Sequence, residues 1–186
     1  MSYGYLDKLL RFDLSKGTVK TEEIPKDVLK EWLGGTGLGV KYICEEVDVS
    51  VAWDSPDNKI MLATGPLGGT SVKGSGTYGV VTKGPMTGGL ATTQANGYFG
   101  AFLKFCGYQG LIIEGASSDW VYLYIDEDEN KVAIKPASHL LGLDTIQTQE
   151  ALYLEYGLNA NQLSVSCIGP AGENLVRFAC IVGDHG

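Results

Sequence analysis

Histidine, closely paired cysteine and clustered basic residues are what this sequence lacks. Its two histidines, His139 and His185, lie far apart. No serine nucleophile elbow and no carboxylate pair placeable in one pocket accompany them, so side-chain catalysis has no visible centre. Any chemistry the chain serves therefore belongs to a cofactor. Cys44, Cys106, Cys167 and Cys180 stand at least 13 positions apart, which excludes the C-x-x-C pairs of zinc and iron–sulfur sites. They are expected to be small buried hydrophobes in a reducing compartment, Cys106 above all. With 14 Lys and Arg against 22 Asp and Glu, and a net charge of −8, nucleic acid and anionic membranes are not expected as partners. The opening MSYGYLDKLLRFDLSKG has frequent charges and no long apolar run. It reads as neither secretory signal nor membrane span, and the expected location is cytoplasmic.

What is present is 44% hydrophobic residues in 186, enough to build the core of one domain or two small lobes. In LLRFDLSKGTVKTEEI, Leu10, Phe12 and Leu14 alternate with polar residues before a Ser-Lys-Gly turn, predicting a hairpin. Pro25 opens a helix whose stripe of Val28, Leu29, Trp32 and Leu33 is ended or interrupted by GGTGLG, with VKYICEEV a second helical piece. DNKIMLATGP is a buried strand closed by a Gly-Pro turn. The order then repeats. WVYLYIDEDENKVAIKPA is another hairpin, DTIQTQEALYLEYG a helix capped by Asp144, Gln147 and Gly157, and QLSVSCIGPAGE brings Gly169-Pro170 where the first half has Gly65-Pro66. An α+β fold is predicted, internally duplicated, with two similar lobes of mostly antiparallel sheet with helices. DEDEN is a hairpin tip rather than a calcium loop, because Lys131 and Ala137 occupy the positions that need glycine and a bidentate glutamate.

Of 26 glycines, 14 fall between Gly65 and Gly115, a density that suits close approach of a ligand to bare backbone. The side-chain-poor GPMTGGLATTQANG then meets Tyr98, Phe99, Phe102, Leu103, Phe105 and Cys106 at helical spacing, with Gly107 as the stop. Asn96 is the expected N-cap and the aromatics the expected anchors. The start of this helix reads either as an anion site or as an ordinary cap. GGTGLG has Val40 where a dinucleotide fingerprint needs its last glycine, and no phosphate-loop lysine motif occurs.

LGGTGLGVKYI, SPDNKIMLATGPLGGT, YGVVTKGPMTGG, NGYFGAFLKFCGYQGLIIEG, VYLYI and IGPAGENLVRFA together resemble the N-terminal domain of the tungsten-containing aldehyde ferredoxin oxidoreductases over nearly the whole chain. The resemblance implies a duplicated α+β base, residues 1–186, for a tungsten (or molybdenum) bis-pterin cofactor with a bridging magnesium. It also implies further helical domains that supply a [4Fe–4S] cluster not ligated by this chain, an aldehyde substrate and ferredoxin as electron acceptor. Gly76, Thr77, Gln94, Ala95, Asn96 and Gly97 match the family's pterin-side loops, and the backbone carbonyl of Gln94 is implied as a magnesium ligand. Thr77 stands where the family carries a pterin-binding arginine, and Gln94-Ala95-Asn96-Gly97 where it carries Asn-Ser-Gly-Gly. Lys73, Lys83 and Arg177 are candidate phosphate neighbours. Because the family continues past Gly186 into an Arg-Ala pair for a second cofactor loop, the chain is expected to be an excised piece or a split subunit, inactive alone. The alternatives are a non-catalytic pterin-binding or assembly module that docks on a separate catalytic subunit, and a nucleotide-phosphate binder.

Overall fold

The computed structural model describes residues 4–184. The first half builds β1 (Lys8–Asp13), β2 (Thr18–Glu23), α1 (Lys26–Trp32), α2 (Gly35–Glu46), β3 (Lys59–Thr64), β4 (Tyr78–Lys83), β5 (Leu90–Ala95), α3 (Phe99–Phe105) and β6 (Gly110–Glu114). The second half builds β7 (Val121–Tyr124), β8 (Ala133–Pro136), α4 (Thr145–Tyr156), β9 (Ser166–Cys167), α5 (Pro170–Glu173) and β10 (Val182–Gly183). Strands β2-β1-β6-β3-β4-β5 form a six-stranded sheet, while β7-β8 and β9-β10 form two-stranded sheets. Every pairing is antiparallel except β1 with β6.

The large sheet is covered on both faces, and the period of two decides which residue goes where. Leu9, Met61, Ala63, Val81 and Ile112 face α1 and α2, where Leu29, Leu38 and Ile43 complete one core. Leu10, Phe12, Leu62, Tyr78, Val80 and Leu111 face the other way, toward Leu103 of α3 and the apolar side of the β7-β8 hairpin. A smaller cluster of Ala137, Leu140, Leu152 and Val165 packs around α4. The predicted α+β architecture and the repeated order of hairpin, helix, strand and Gly-Pro are both present, though the described second half carries much shorter strands. Helix α4 has the full capping box of Asp144 and Gln147 and a left-handed Gly157 at its end.

Two local expectations are corrected. The helical stripe is interrupted where GGTGLG begins, as expected, with Leu33 closing α1 in the left-handed region (φ 61°) and Gly34 following at φ 104°; but the second helix starts earlier than VKYICEEV, and Gly35, Gly37 and Gly39 lie inside α2. The reason is packing, since a Cβ at Gly39 would collide with Val81 of the sheet beneath. The small-residue stretch before α3 is likewise not all loop. Leu90–Ala95 is the edge strand β5, paired with β4 from Lys83↔Leu90 to Tyr78↔Ala95. Both its faces are largely open to solvent, so no alternating apolar pattern marks it.

Candidate functional site

The register of β4 with β5 brings the predicted loops together. Tyr78 opposes Ala95 and Gly79 opposes Gln94, so Gly76-Thr77 and Gln94–Gly97 flank one end of the same hairpin. The Thr77 hydroxyl donates to Oδ1 of Asn96 across this gap. A Cβ at Gly76 would collide with the Gly97 carbonyl oxygen, and Gly97 itself has φ 114°, so the two loops touch through backbone that only glycine permits.

Asn96 is not the N-cap of α3. Its amide is engaged with Thr77, and the open N–H groups at the helix start donate to a residue far along the chain. Oδ2 of Asp184 accepts from Tyr98 N at 2.6 Å and from Phe99 N at 3.3 Å. Oδ1 of the same carboxylate accepts from Ser164 Oγ at 2.6 Å. The start of α3 is therefore filled by protein and offers no free anion site. The expected aromatic anchoring is also weaker than read: Leu103 is the buried residue, whereas Tyr98 and Phe105 are exposed. A second bond joins the halves nearby, between Tyr78 Oη and Ser166 Oγ at 3.1 Å. Burial raises the Tyr78 phenol above its ordinary pKa, so this hydroxyl stays protonated.

Two of the three candidate cations lie elsewhere. Lys83 ends β4 opposite the Gly76 end, roughly 17 Å away at strand rise, and donates to the Val49 carbonyl. Arg177 lies over the Trp53 ring at 5.9 Å from its centroid, in the loop before β3, also at that far end. Lys73 is exposed in the loop that leads to Gly76. The thiols depart from expectation as well. Cys44 and Cys180 are exposed and Cys106 and Cys167 half-buried, and burial pushes the Cys106 thiol up to about 11. His185 lies outside the described residues, while His139 pairs with Glu155 at 3.0 Å on α4.

What the hairpin end presents is oxygen: the outer row of carbonyls on an edge strand, the Thr77 hydroxyl, and the amides of Gln94 and Asn96. Such donors suit a hard cation like magnesium and suit a ligand that approaches glycine backbone. The Gln94 carbonyl and the backbone of Gly76, Thr77, Ala95, Asn96 and Gly97 line that end of the hairpin. They supply no thiolate or imidazole, so the transition metal would depend on the pterin for its ligands. A separate apolar cavity of about 770 Å³ opens between α3 and the second half, lined by Phe99, Phe102, Trp120, Tyr124, Leu163 and Ile181 among others. Of the predicted site residues, none lines it.

Comparison with known proteins identifies related chains. Residues 9–186 match the family model described as aldehyde ferredoxin oxidoreductase, N-terminal domain. A tungsten-containing aldehyde ferredoxin oxidoreductase of Thermococcus kodakarensis is 44% identical over 182 residues, 98% of this chain and 29% of that protein. An aliphatic sulfonate oxidoreductase, WOR-like subunit, of Pyrococcus furiosus is 33% identical over 97% of this chain and 30% of its own length. Among solved structures, the active-site complex BamBC of benzoyl coenzyme A reductase with 1,5-dienoyl-CoA superposes with a TM-score of 0.93 at 34% identity, over 98% of this chain and 27% of that one. The chain thus spans under a third of the length of these relatives.

Proposed function

The chain belongs to the aldehyde ferredoxin oxidoreductase family as its N-terminal domain, and from that premise we propose that it is the pterin-side base of an oxidoreductase that oxidises aldehydes to carboxylic acids with ferredoxin as electron acceptor. The observation that carries the reading is the family match over residues 9–186, joined to the meeting of Gly76-Thr77 with Gln94–Gly97 at one hairpin end. An aldehyde is favoured because relatives named for that activity share 41–45% identity, against 33–34% for the sulfonate and benzoyl-CoA proteins.

When bound, a tungsten or molybdenum bis-pterin supplies the two-electron redox chemistry. The residues of this chain would hold and orient it: the Gln94 carbonyl on the bridging magnesium, glycine backbone at Gly76 and Gly97 against the pterin, and Thr77 with Asn96 fixing the distance between the two loops. Thr77 gives no cation where the family has arginine, so phosphate charge would be met by the magnesium and by groups outside this chain. The [4Fe–4S] cluster and the substrate pocket belong to the remaining helical domains. No helix among the described residues is long and apolar enough to cross a membrane.

The test is composition and turnover of the natural polypeptide purified without oxygen. Stoichiometric tungsten or molybdenum, about four irons per chain as one [4Fe–4S] cluster provides, and aldehyde-dependent reduction of a viologen dye are expected. A 186-residue chain free of metal and pterin would overturn the reading in favour of an assembly module. Activity with an acyl-CoA ester but no aldehyde would replace the substrate and leave the cofactor role intact.

A further inference from the structure

We propose that Asp184 is a positioning residue for the cofactor loop. The inference rests on the reading above that Gln94–Gly97 faces the cofactor, but its residues come from the geometry. Asp184 lies more than 80 positions from the loop that it holds. Its Oδ2 takes the N–H groups of Tyr98 and Phe99, and its Oδ1 takes the Ser164 hydroxyl. The carboxylate thus supplies to α3 what Asn96, committed to Thr77, does not.

Three features show a clamp rather than a simple cap. Asp184 has φ 49°, a left-handed conformation unusual outside glycine, and its N–H is bound to the Val165 carbonyl at 3.2 Å, so the side chain is aimed by its own backbone. Gly97 has no room for a side chain on this side: an added Cβ would lie 2.6 Å from Oδ2 of Asp184. Gly97 in turn is pressed on Gly76, whose added Cβ would meet the Gly97 carbonyl oxygen. Carboxylate, Gly97 and Gly76 form a column that transmits the position of the second half, through β9-β10 and Ser164, to both loops of the first. A shift of Asp184 moves Gly97 and releases Gly76, and with them the backbone oxygens offered to a cation. The column also sets a charge condition. A carboxylate occupies the positive end of α3, so an incoming phosphate finds no bare helix dipole there and depends on a bound cation.

The experiment uses the complete natural polypeptide, with pterin and tungsten or molybdenum per chain measured beside amide hydrogen exchange. Asp184→Ala should speed exchange of the Tyr98 and Phe99 amides about ten-fold or more, as loss of a charge-assisted hydrogen bond implies. It should leave α4 exchange unchanged and lower bound pterin and metal several-fold. Asp184→Asn keeps an acceptor oxygen and should recover most of the cofactor. If Asp184→Ala does not fold, Ser164→Ala loosens the same carboxylate without touching α3 and should give a smaller loss of the same kind. Faster exchange with full cofactor content would reduce Asp184 to a helix cap and overturn the proposal. Unchanged exchange would refute the clamp itself, as would an Asp184→Asn variant as depleted as Asp184→Ala. Wild-type protein without pterin would instead remove the cofactor reading, and this inference with it.

Discussion

Arg11 stands among more carboxylates than it can neutralise. Its guanidinium reaches Glu22 at 2.8 and 3.1 Å, Glu46 at 2.8 and 2.9 Å and Glu114 at 3.0 Å, while Lys59 reaches Glu46 at 2.6 Å and Glu114 at 2.8 Å. The network ties β1, β2, β3, β6 and α2 together. Burial works against the charges of Arg11, Lys59 and Glu46, yet hydrogen bonds from Arg11 and Lys59 bring Glu46 below the usual carboxylate range, and those to Glu46 and Glu22 raise Arg11 above its own. A lowered carboxylate pKa means stability that is complete above the unfolded value, about 4.3 for glutamate, and lost as pH falls through the folded one. Urea midpoints followed by circular dichroism should hold above about pH 5 and drop below about pH 4. Arg11→Met should cost about 1–3 kcal/mol at neutral pH by leaving half-buried carboxylates short of a partner, and clearly less in acid. An equal cost at both would show that packing, not charge, is lost. At the site, Thr77→Arg should sacrifice the bond to Asn96, about 1 kcal/mol, yet slow loss of pterin on dialysis of the complete enzyme. No change in that rate would mean that residue 77 does not face phosphate.

Elements show where sequence and structure part. Hairpin β1-β2 is legible because Leu10 and Phe12 alternate onto one buried face, and α4 because Asp144, Gln147 and Gly157 mark both ends locally. Strand β5 is not, because an edge strand with open faces has no apolar period to read. Only the start of helix α2 is misread, for the opposite reason: glycine disfavours helix by about 1 kcal/mol relative to alanine, but the cost is outweighed by close contact with β4. The loop assignment rests on the family resemblance alone, and the register of β4 with β5 brings its two segments to one end of a hairpin. The Asp184 cap is invisible to any local window, since donor and acceptor are 85 and 86 positions apart. If packing rules α2, Gly39→Ala should lower the melting temperature despite a better helix propensity, because overpacking costs about 1–3 kcal/mol. A rise in melting temperature would mean that propensity wins and that α2 can lift off Val81.

On the scale of the whole molecule, the described residues leave a group of large apolar side chains open to solvent. Phe178 is 81% exposed and Leu175 70%, with Ile168 and Ile181 also open; these residues lie in or beside the IGPAGENLVRFA motif, and Ile168 and Ile181 also line the apolar cavity of about 770 Å³. Exposed apolar surface on this scale marks a contact face, and the relatives carry more than two thirds of their length beyond the matched region. The remaining domains of such an enzyme are the proposed cover. Expressed alone, the 186-residue polypeptide should therefore bind an apolar dye such as anilinonaphthalene sulfonate and self-associate with rising concentration, its net charge of −8 delaying but not preventing this. It should also fail to reduce a viologen with aldehyde, since the hairpin end offers oxygen donors and no redox group. The complete enzyme should bind little dye and turn over. A monomeric, dye-free 186-residue protein would show instead that Phe178 and Leu175 fold back onto the cavity in solution, and that the domain closes its own core.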